Sequence, residues 1–183
     1  NIGGDSDAAD GALIRQIAGL NKGSYLYEEE QEASPTDLCI GAACYPETHL
    51  EALNLATDIA YLKQKVDAGA DYLVTQMFFD NAKYFRFVEL CRAEGIQVPI
   101  IPGLKPLTTM KHIAFIPKTF SIDLPQPLAN ELVKCKTDAQ VKQLGVEWSM
   151  AQTKELIAKG APCVHFYTMG KSDAVRSIVS QVF

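Results

Sequence analysis

The residue with the clearest chemical potential is Gln76, an uncharged amide in the otherwise apolar, strand-like run of residues 74–80. A buried amide without hydrogen bonds costs roughly 1–3 kcal/mol, so a strand that carries one usually directs it at a polar partner. That partner is either a neighbouring backbone group or a ligand, and the strand alone favours neither. An amide donates and accepts without titrating, which suits it to binding and orienting a ligand.

Other polar residues also follow directly after short apolar runs. This group comprises Asp5, Tyr45, Glu47, His49, Lys105 and residues 167–171. In parallel β-α folds, function is concentrated where strands end and the following loops begin. We therefore expect these side chains and Gln76 to meet on one face of the protein.

Four apolar runs predict the strands that would position these residues: residues 38–44, 72–79, 99–103 and 163–169. Helical patterns separate these runs. Two examples are the spacing of Ile59, Leu62 and Val66, which ends at Gly69, and the capping-box pattern of residues 137–140. This alternation is typical of parallel β-α units. No Gly-x-Gly-x-x-Gly or Walker loop follows any strand, so a piece of a (β/α)8 barrel is favoured over a dinucleotide-binding sheet.

The composition describes an ordinary globular chain, with 183 residues of which 48% are hydrophobic and 21% charged. A net charge of -5 without a long basic run argues against a nucleic-acid partner. No apolar stretch reaches the ~18 residues of a membrane span. Five scattered cysteines without a Cys-x-x-Cys pair predict reduced thiols in a cytoplasm rather than disulfides or a metal site. The start at Asn1 leads us to expect a fragment of a longer protein.

Six motifs, in order, resemble those of the methylenetetrahydrofolate reductase family. They are Gly4-Asp5 and residues 43–49, 65–70, 75–80, 100–103 and 165–168. The resemblance covers almost the whole chain. It implies an α/β (β/α)8 TIM barrel, of which this chain would supply roughly the second half: strands 5 to 8 and the end of strand 4.

The resemblance also implies an activity. Members of the family are flavin-dependent oxidoreductases that reduce methylenetetrahydrofolate to methyltetrahydrofolate with NADH or NADPH through FAD, in one-carbon metabolism and methionine synthesis. The implied partners are the folate substrate and the nicotinamide dinucleotide. The full-length parent would be a cytoplasmic homo-oligomer, whereas the fragment alone would be inactive.

The family roles transfer to matching positions of this chain. Asp5 and Gln76 would be catalytic, Asp5 near the flavin and the pterin, and Gln76 between the nicotinamide and folate binding modes. The implied FAD contacts are Gly4, Asp5, Tyr45, His49, Ala52, Asp58, Tyr61, Gln64 and Lys65. The implied substrate contacts are Asp5, Gln76, His112 and Lys171.

The spacing of Asp58, Tyr61 and Lys65 predicts one polar helix face opposite the apolar stripe. By itself this pattern is typical of a solvated face. The resemblance implies that the face contacts the FAD ribose and diphosphate, with Lys65 as the phosphate partner, since its ammonium is a compact point charge.

Two alternatives stay open at this point. A non-redox pterin or corrinoid methyl-transfer barrel would share the folate-facing half but need no flavin contacts. A half-barrel without its partner elements would expose two sheet edges and could be inert. The family's general acid, a glutamate of strand one, matches no residue of this chain.

Overall fold

A computed structural model describes residues 5–25, 34–48 and 52–183, and of residues 5–10 only the backbone. The helices of this part are α1 (Asp5–Asn21), α2 (Leu55–Asp67), α3 (Asn81–Ala93), α4 (Met110–Phe120), α5 (Gln126–Leu132), α6 (Asp138–Ala158) and α7 (Asp173–Val182). The strands are β1 (Gly41–Cys44), β2 (Tyr72–Thr75), β3 (Ile100–Ile101), β4 (Gly103–Leu104) and β5 (His165–Phe166).

All strand pairs are parallel. β1 pairs with β2 in register Gly41 to Tyr72, and β2 pairs with β3 in register Leu73 to Ile100. β4 pairs with β5. Only Pro102 separates β3 from β4, so one chain segment links the three-stranded sheet to the two-stranded one. The predicted parallel β-α organisation is thus confirmed.

Local sequence signals explain where several helices begin and end. Asn54 caps α2 by accepting from the Thr57 N–H at 2.9 Å, and Gly69 ends it with a φ of 121°, a conformation that favours glycine. The predicted cap of α3 is confirmed, since Asp80 Oδ1 accepts from the Ala82 N–H at 2.9 Å. These caps fix where the loops after β1 and β2 turn into helices.

The capping box predicted at the start of α6 forms in part. Thr137 Oγ1 accepts from the Gln140 N–H at 3.3 Å, as the pattern predicts. The Gln140 side chain, however, accepts from the Lys136 N–H at 2.6 Å instead of returning to Thr137. One half of the reciprocal pair is therefore replaced by a contact one residue earlier.

The strands are shorter than the apolar runs predicted. The run of residues 72–79 leaves the ladder after Thr75, although Met77, Phe78 and Phe79 are all buried. Phe78 packs with Tyr84 and other residues of one core cluster, whereas Met77 and Phe79 belong to a second cluster. The continuous apolar run therefore reflects a segment buried between two cores rather than a long strand.

The two core clusters involve different helices, except that α6 contributes Leu156 to the first and Val141 to the second. The first packs β1, β2 and β3 against α2 and α3, and the second packs Met77 and Phe79 against α4, α5 and α6. At Gly145, α6 lies directly on the backbone after β4, because a Cβ there would be 2.0 Å from the Leu107 carbonyl oxygen. This contact fixes the loop that begins with Lys105.

Within the described ranges no helix is long and apolar enough to cross a membrane. The same residues contain no cluster of three or more side chains suited to hold a metal ion.

Candidate functional site

The ends of the parallel strands bring four predicted site residues to one side of the sheets. Tyr45 follows β1, Gln76 follows β2, Lys105 follows β4 and Tyr167 follows β5. Hydrogen bonds join these ends: the Gln76 N–H donates to the Cys44 carbonyl at 2.7 Å, and the Tyr167 hydroxyl donates to the Thr75 carbonyl at 2.9 Å. The expected convergence of strand ends is therefore present.

A cavity of about 270 Å³ lies beyond the ends of β4 and β5. Its polar and charged lining includes Lys105, Thr108, Thr109, His112, Lys142, Tyr167, Thr168, Lys171 and Asp173. Two residues predicted to contact the substrate thus share one cavity, although His112 lies on α4 and Lys171 lies in the loop between β5 and α7.

Lys105 is the most deeply buried charge of this cavity, with 5% of its surface exposed. Its Nζ donates to the Tyr167 carbonyl at 3.3 Å. Burial lowers the pKa of the Lys105 ammonium, because desolvation disfavours the charged form. In the part of the chain that the structure describes, no carboxylate pairs with Lys105.

His112 lies in the first turn of α4 and faces the same cavity. The Thr108 N–H donates to its Nδ1 at 3.2 Å, so Nδ1 is the acceptor and the ring proton of the neutral imidazole is on Nε2. Burial lowers the pKa of His112, and the positive charges of Lys105 and Lys171 lower it further, against the opposing effect of Asp138. A neutral His112 presents Nε2–H as a donor.

The acidic residue lining the cavity, Asp173, is paired with Lys142, which links α6 to α7. The hydrogen bond from Lys142 lowers the pKa of the exposed Asp173 carboxyl, so it is ionised at neutral pH. These two charges offset each other. The remaining lysines, Lys105 and Lys171, leave the cavity with a net positive charge.

Gln76 uses one end of its amide locally. Its Oε1 accepts from the Met77 N–H at 3.0 Å, which is the backbone role that the sequence allowed. Its Nε2 makes no hydrogen bond within the described residues. The half-buried side chain shares a small crevice with Tyr45, Phe120 and Ile122, so the donor end stays available beside the β1 loop.

Glu47 anchors the loop after β1. Its Oε2 accepts from Lys83 Nζ at 2.5 Å and from the Asp123 N–H at 2.9 Å, and its Oε1 is buried without a hydrogen-bond partner. Burial alone would lower the pKa of Lys83, but its hydrogen bonds to Asp123 and Glu47 raise it. Thr48, next in the loop, has a φ of 54°, an uncommon conformation for a residue with a side chain.

The predicted polar face of α2 is wrong in its orientation. Asp58 and Lys65 are 8% and 4% exposed and lie on the same face as Ile59 and Leu62. Both lie near the Cys44 thiol. Burial is the largest effect on this thiol and raises its pKa; the charge of Asp58 raises the pKa further, and the charge of Lys65 lowers it. The two charges therefore turn inward toward the end of β1.

The other predicted FAD contacts are distributed differently. Tyr61 is half-buried and Gln64 is exposed, so Gln64 does not join the inward-facing pair on α2. Ala52 is half-buried just before α2. Asp5 is the first residue of α1. Gly4 and His49 lie outside the described residues, as does the strand end predicted before Asp5.

Lys105 is one of the polar residues that the sequence predicts at a strand end, but the family resemblance implies no role for it. The signal for it is the one that identified Gln76, a polar residue within an apolar run, here residues 100–107. Lys142 and Thr108 carry no comparable signal, because their position beside the cavity depends on how α6 and the loop after β4 pack.

Comparisons with known proteins agree on one family. Residues 4–182 match the family described as methylenetetrahydrofolate reductase. Methylenetetrahydrofolate reductase 1 of Schizosaccharomyces pombe is 37% identical over 147 residues, 80% of this chain and 24% of that protein. Methylenetetrahydrofolate reductase (NADH) 1 of Arabidopsis thaliana is 39% identical over 140 residues, 71% of this chain and 24% of that protein.

A bacterial relative and a solved structure extend the comparison. The 5,10-methylenetetrahydrofolate reductase of Escherichia coli is 36% identical over 138 residues, 75% of this chain and 47% of that protein. An uncharacterised Clostridium thermocellum protein that binds two copies of 5-methyl-5,6,7,8-tetrahydrofolic acid has a similar fold, with a TM-score of 0.54, 21% identity, and coverage of 80% of this chain and 53% of that one. The chain thus spans between a quarter and a half of these relatives' lengths, and it belongs to the methylenetetrahydrofolate reductase family.

Proposed function

We propose that this chain is part of an enzyme that reduces methylenetetrahydrofolate to methyltetrahydrofolate with NADH or NADPH through FAD. The observation that carries the proposal is the cationic cavity beyond β4 and β5, in which His112 and Lys171 lie together. Both are positions that the family resemblance assigns to the folate. A folate carries carboxylates, which a cation and a neutral N–H donor can bind.

The proposed architecture is the second half of a (β/α)8 barrel, with residues 1–183 forming part of a domain that binds FAD and folate. Parallel strands that follow one another in chain order, with helices between them, support this arrangement. Strand ends that gather the polar residues on one side also support it. The similar fold of the Clostridium protein is consistent with it.

The residues near the end of β1 fit FAD in part. Lys65 supplies a cation suited to a diphosphate, and Asp58 supplies a carboxylate that can accept from ribose hydroxyls. Both lie close to Cys44, one residue before Tyr45. Exposed Gln64 fits this cluster less well, whereas Tyr61, Ala52, His49, Gly4 and Asp5 complete the proposed contact set.

FAD would supply the hydride chemistry between the nicotinamide dinucleotide and the folate. The chain's own residues would bind and orient the substrate. Gln76 would donate through Nε2 while Met77 holds its Oε1. His112 would donate through Nε2, Lys171 would attract a carboxylate, and Asp5 would accept from the pterin and stabilise its cationic character.

Two half-reactions test this proposal in the full-length protein. We expect the protein to purify with a flavin spectrum that NADH or NADPH bleaches under anaerobic conditions. Methylenetetrahydrofolate should then restore the spectrum and yield methyltetrahydrofolate. A flavin that is reduced but never reoxidised by the folate would contradict the proposal, and methyl transfer by a flavin-free protein would favour the non-redox alternative.

The parent protein is further proposed to be a cytoplasmic homo-oligomer. All five cysteines of the chain are free, which suits a reducing compartment. Light scattering of the full-length protein would give its oligomeric state.

A further inference from the structure

The inference begins with an unmatched buried charge. Lys105 is 5% exposed, and its ammonium makes one long hydrogen bond, to the Tyr167 carbonyl at 3.3 Å. A buried charge is costly unless it is paired and hydrogen-bonded. Among the described residues no carboxylate offsets Lys105, which leaves a place beside its ammonium for an anion supplied by a bound substrate.

The surroundings of Lys105 favour an anion as well. His112 presents its Nε2–H, and Lys171 adds a second cation without a carboxylate partner in the described chain. Residues of the first turns of α4 and α7 line the cavity, and helix N-termini carry a partial positive charge. The lining carboxylate, Asp173, is already held by Lys142.

We propose that Lys105 is a specificity-determining cation of this cavity, and that the cavity holds an anionic group of the bound substrate, a carboxylate or a phosphate. The volume of about 270 Å³ is small for a whole cofactor but sufficient for a charged end group. The inference rests on the proposed function, since both candidate groups belong to its substrates: carboxylates to the folate and phosphates to the nicotinamide dinucleotide.

The test replaces Lys105 with methionine, which keeps the length of the side chain and removes the charge. Lys118→Met is the matched control, because Lys118 lies on α4, is exposed, and does not line the cavity. In the full-length enzyme we expect Lys105→Met to raise one KM by about tenfold or more, with kcat nearly unchanged. The control should leave both KM values within twofold of the wild type.

The two substrates identify the source of the anion. A higher KM for methylenetetrahydrofolate, growing with the number of glutamates on its tail, assigns the cavity to a carboxylate. A higher KM for NADH or NADPH assigns it to a phosphate. Unchanged KM values for both substrates, in a variant that keeps its flavin and its melting temperature, overturn the proposal.

Wild-type enzyme provides a second measurement that does not depend on folding of the variant. Sulfate should inhibit competitively against the substrate whose charged group occupies the cavity, and competition with neither substrate overturns the inference. The charge-preserving Lys105→Arg variant should recover part of the affinity. If wild-type enzyme oxidises NADH or NADPH but never reduces the folate, the proposed function fails. If the wild type is active and the Lys105→Met variant has unchanged KM values, only this inference fails.

Discussion

Replacing Gly145 with alanine should destabilise the protein, although the same change normally stabilises a helix. Alanine in a helix interior is favoured over glycine by about 1 kcal/mol. At this position, however, the new Cβ would lie 2.0 Å from the Leu107 carbonyl oxygen and 2.8 Å from the Leu107 carbonyl carbon and amide nitrogen. These distances are far below the roughly 3.5 Å of ordinary carbon contacts.

The expected magnitude follows from that overlap. The obstacle is backbone, which cannot rotate away as a side chain can, so the cost should be at the upper end of the 1–3 kcal/mol typical of overpacking. Subtracting the helix gain of about 1 kcal/mol leaves a net loss of about 2 kcal/mol. For a chain of this size the melting temperature would fall by roughly 4–8 °C.

The assay is a denaturant or thermal melt of the wild type, Gly145→Ala and the control Gly11→Ala. Gly11 is also within a helix, but among the described side chains a Cβ there would meet only the flexible Arg15 guanidinium, at 3.6 Å or more. The control should therefore gain up to about 1 kcal/mol. Because Leu107 follows Lys105 by two residues, Gly145→Ala should also raise the substrate KM. Equal stabilisation by both substitutions would refute the reasoning that α6 is fitted against this loop.

Three further substitutions test other parts of the site. Gln76→Glu keeps an acceptor for the Met77 N–H, so it should lower the free energy of unfolding by less than about 1 kcal/mol. It should slow folate reduction while the protein keeps its flavin. Unchanged folate kinetics in stopped-flow would leave Gln76 with a backbone role only. The pKa of His112 is lowered from 6.5 in the folded state, chiefly by burial, so folding favours the neutral ring. This contribution is complete above pH 6.5 and is lost as the pH falls from 6.5 toward the lower folded-state pKa. His112→Gln should therefore flatten the loss of stability below pH 6.5, and an identical slope in denaturation at several pH values would argue against it. Lys83→Met should lower the free energy of unfolding by about 1–3 kcal/mol, because it leaves the buried Glu47 carboxylate without its cation. A melting temperature no lower than that of a variant at an exposed lysine would show that the ion pair contributes little.

Short-range sequence signals predicted the elements that bear the site. The caps at Asp80 and Thr137 depend on hydrogen bonds within three residues, so local residue types suffice to locate them. The alternation of apolar runs with helical patterns likewise predicted parallel β-α units, although β2 ends at Thr75, before its apolar run does. These features need no knowledge of long-range packing.

Features that depend on tertiary contacts were not predictable in the same way. Charged residues ordinarily indicate a solvated face, yet Asp58 and Lys65 are buried because α2 turns them toward the end of β1. No sequence pattern predicted α4 or α5, and Pro117 inside α4 is a residue that argues against a helix. The cationic cavity combines residues from the loops after β4 and β5 with residues of α4, α6 and α7, which only the packed fold brings together.

The segment that contains β3, Pro102 and β4 also restricts how the chain can vary in length. The Pro102 carbonyl accepts from the His165 N–H at 2.9 Å, and the Leu104 carbonyl accepts from the Tyr167 N–H at 2.9 Å. Because successive side chains of an extended segment point to opposite sides, one inserted or deleted residue here would turn Lys105 away from the cavity. Relatives that share the cavity should therefore differ from this chain in residue type along the segment but never by a single-residue insertion or deletion.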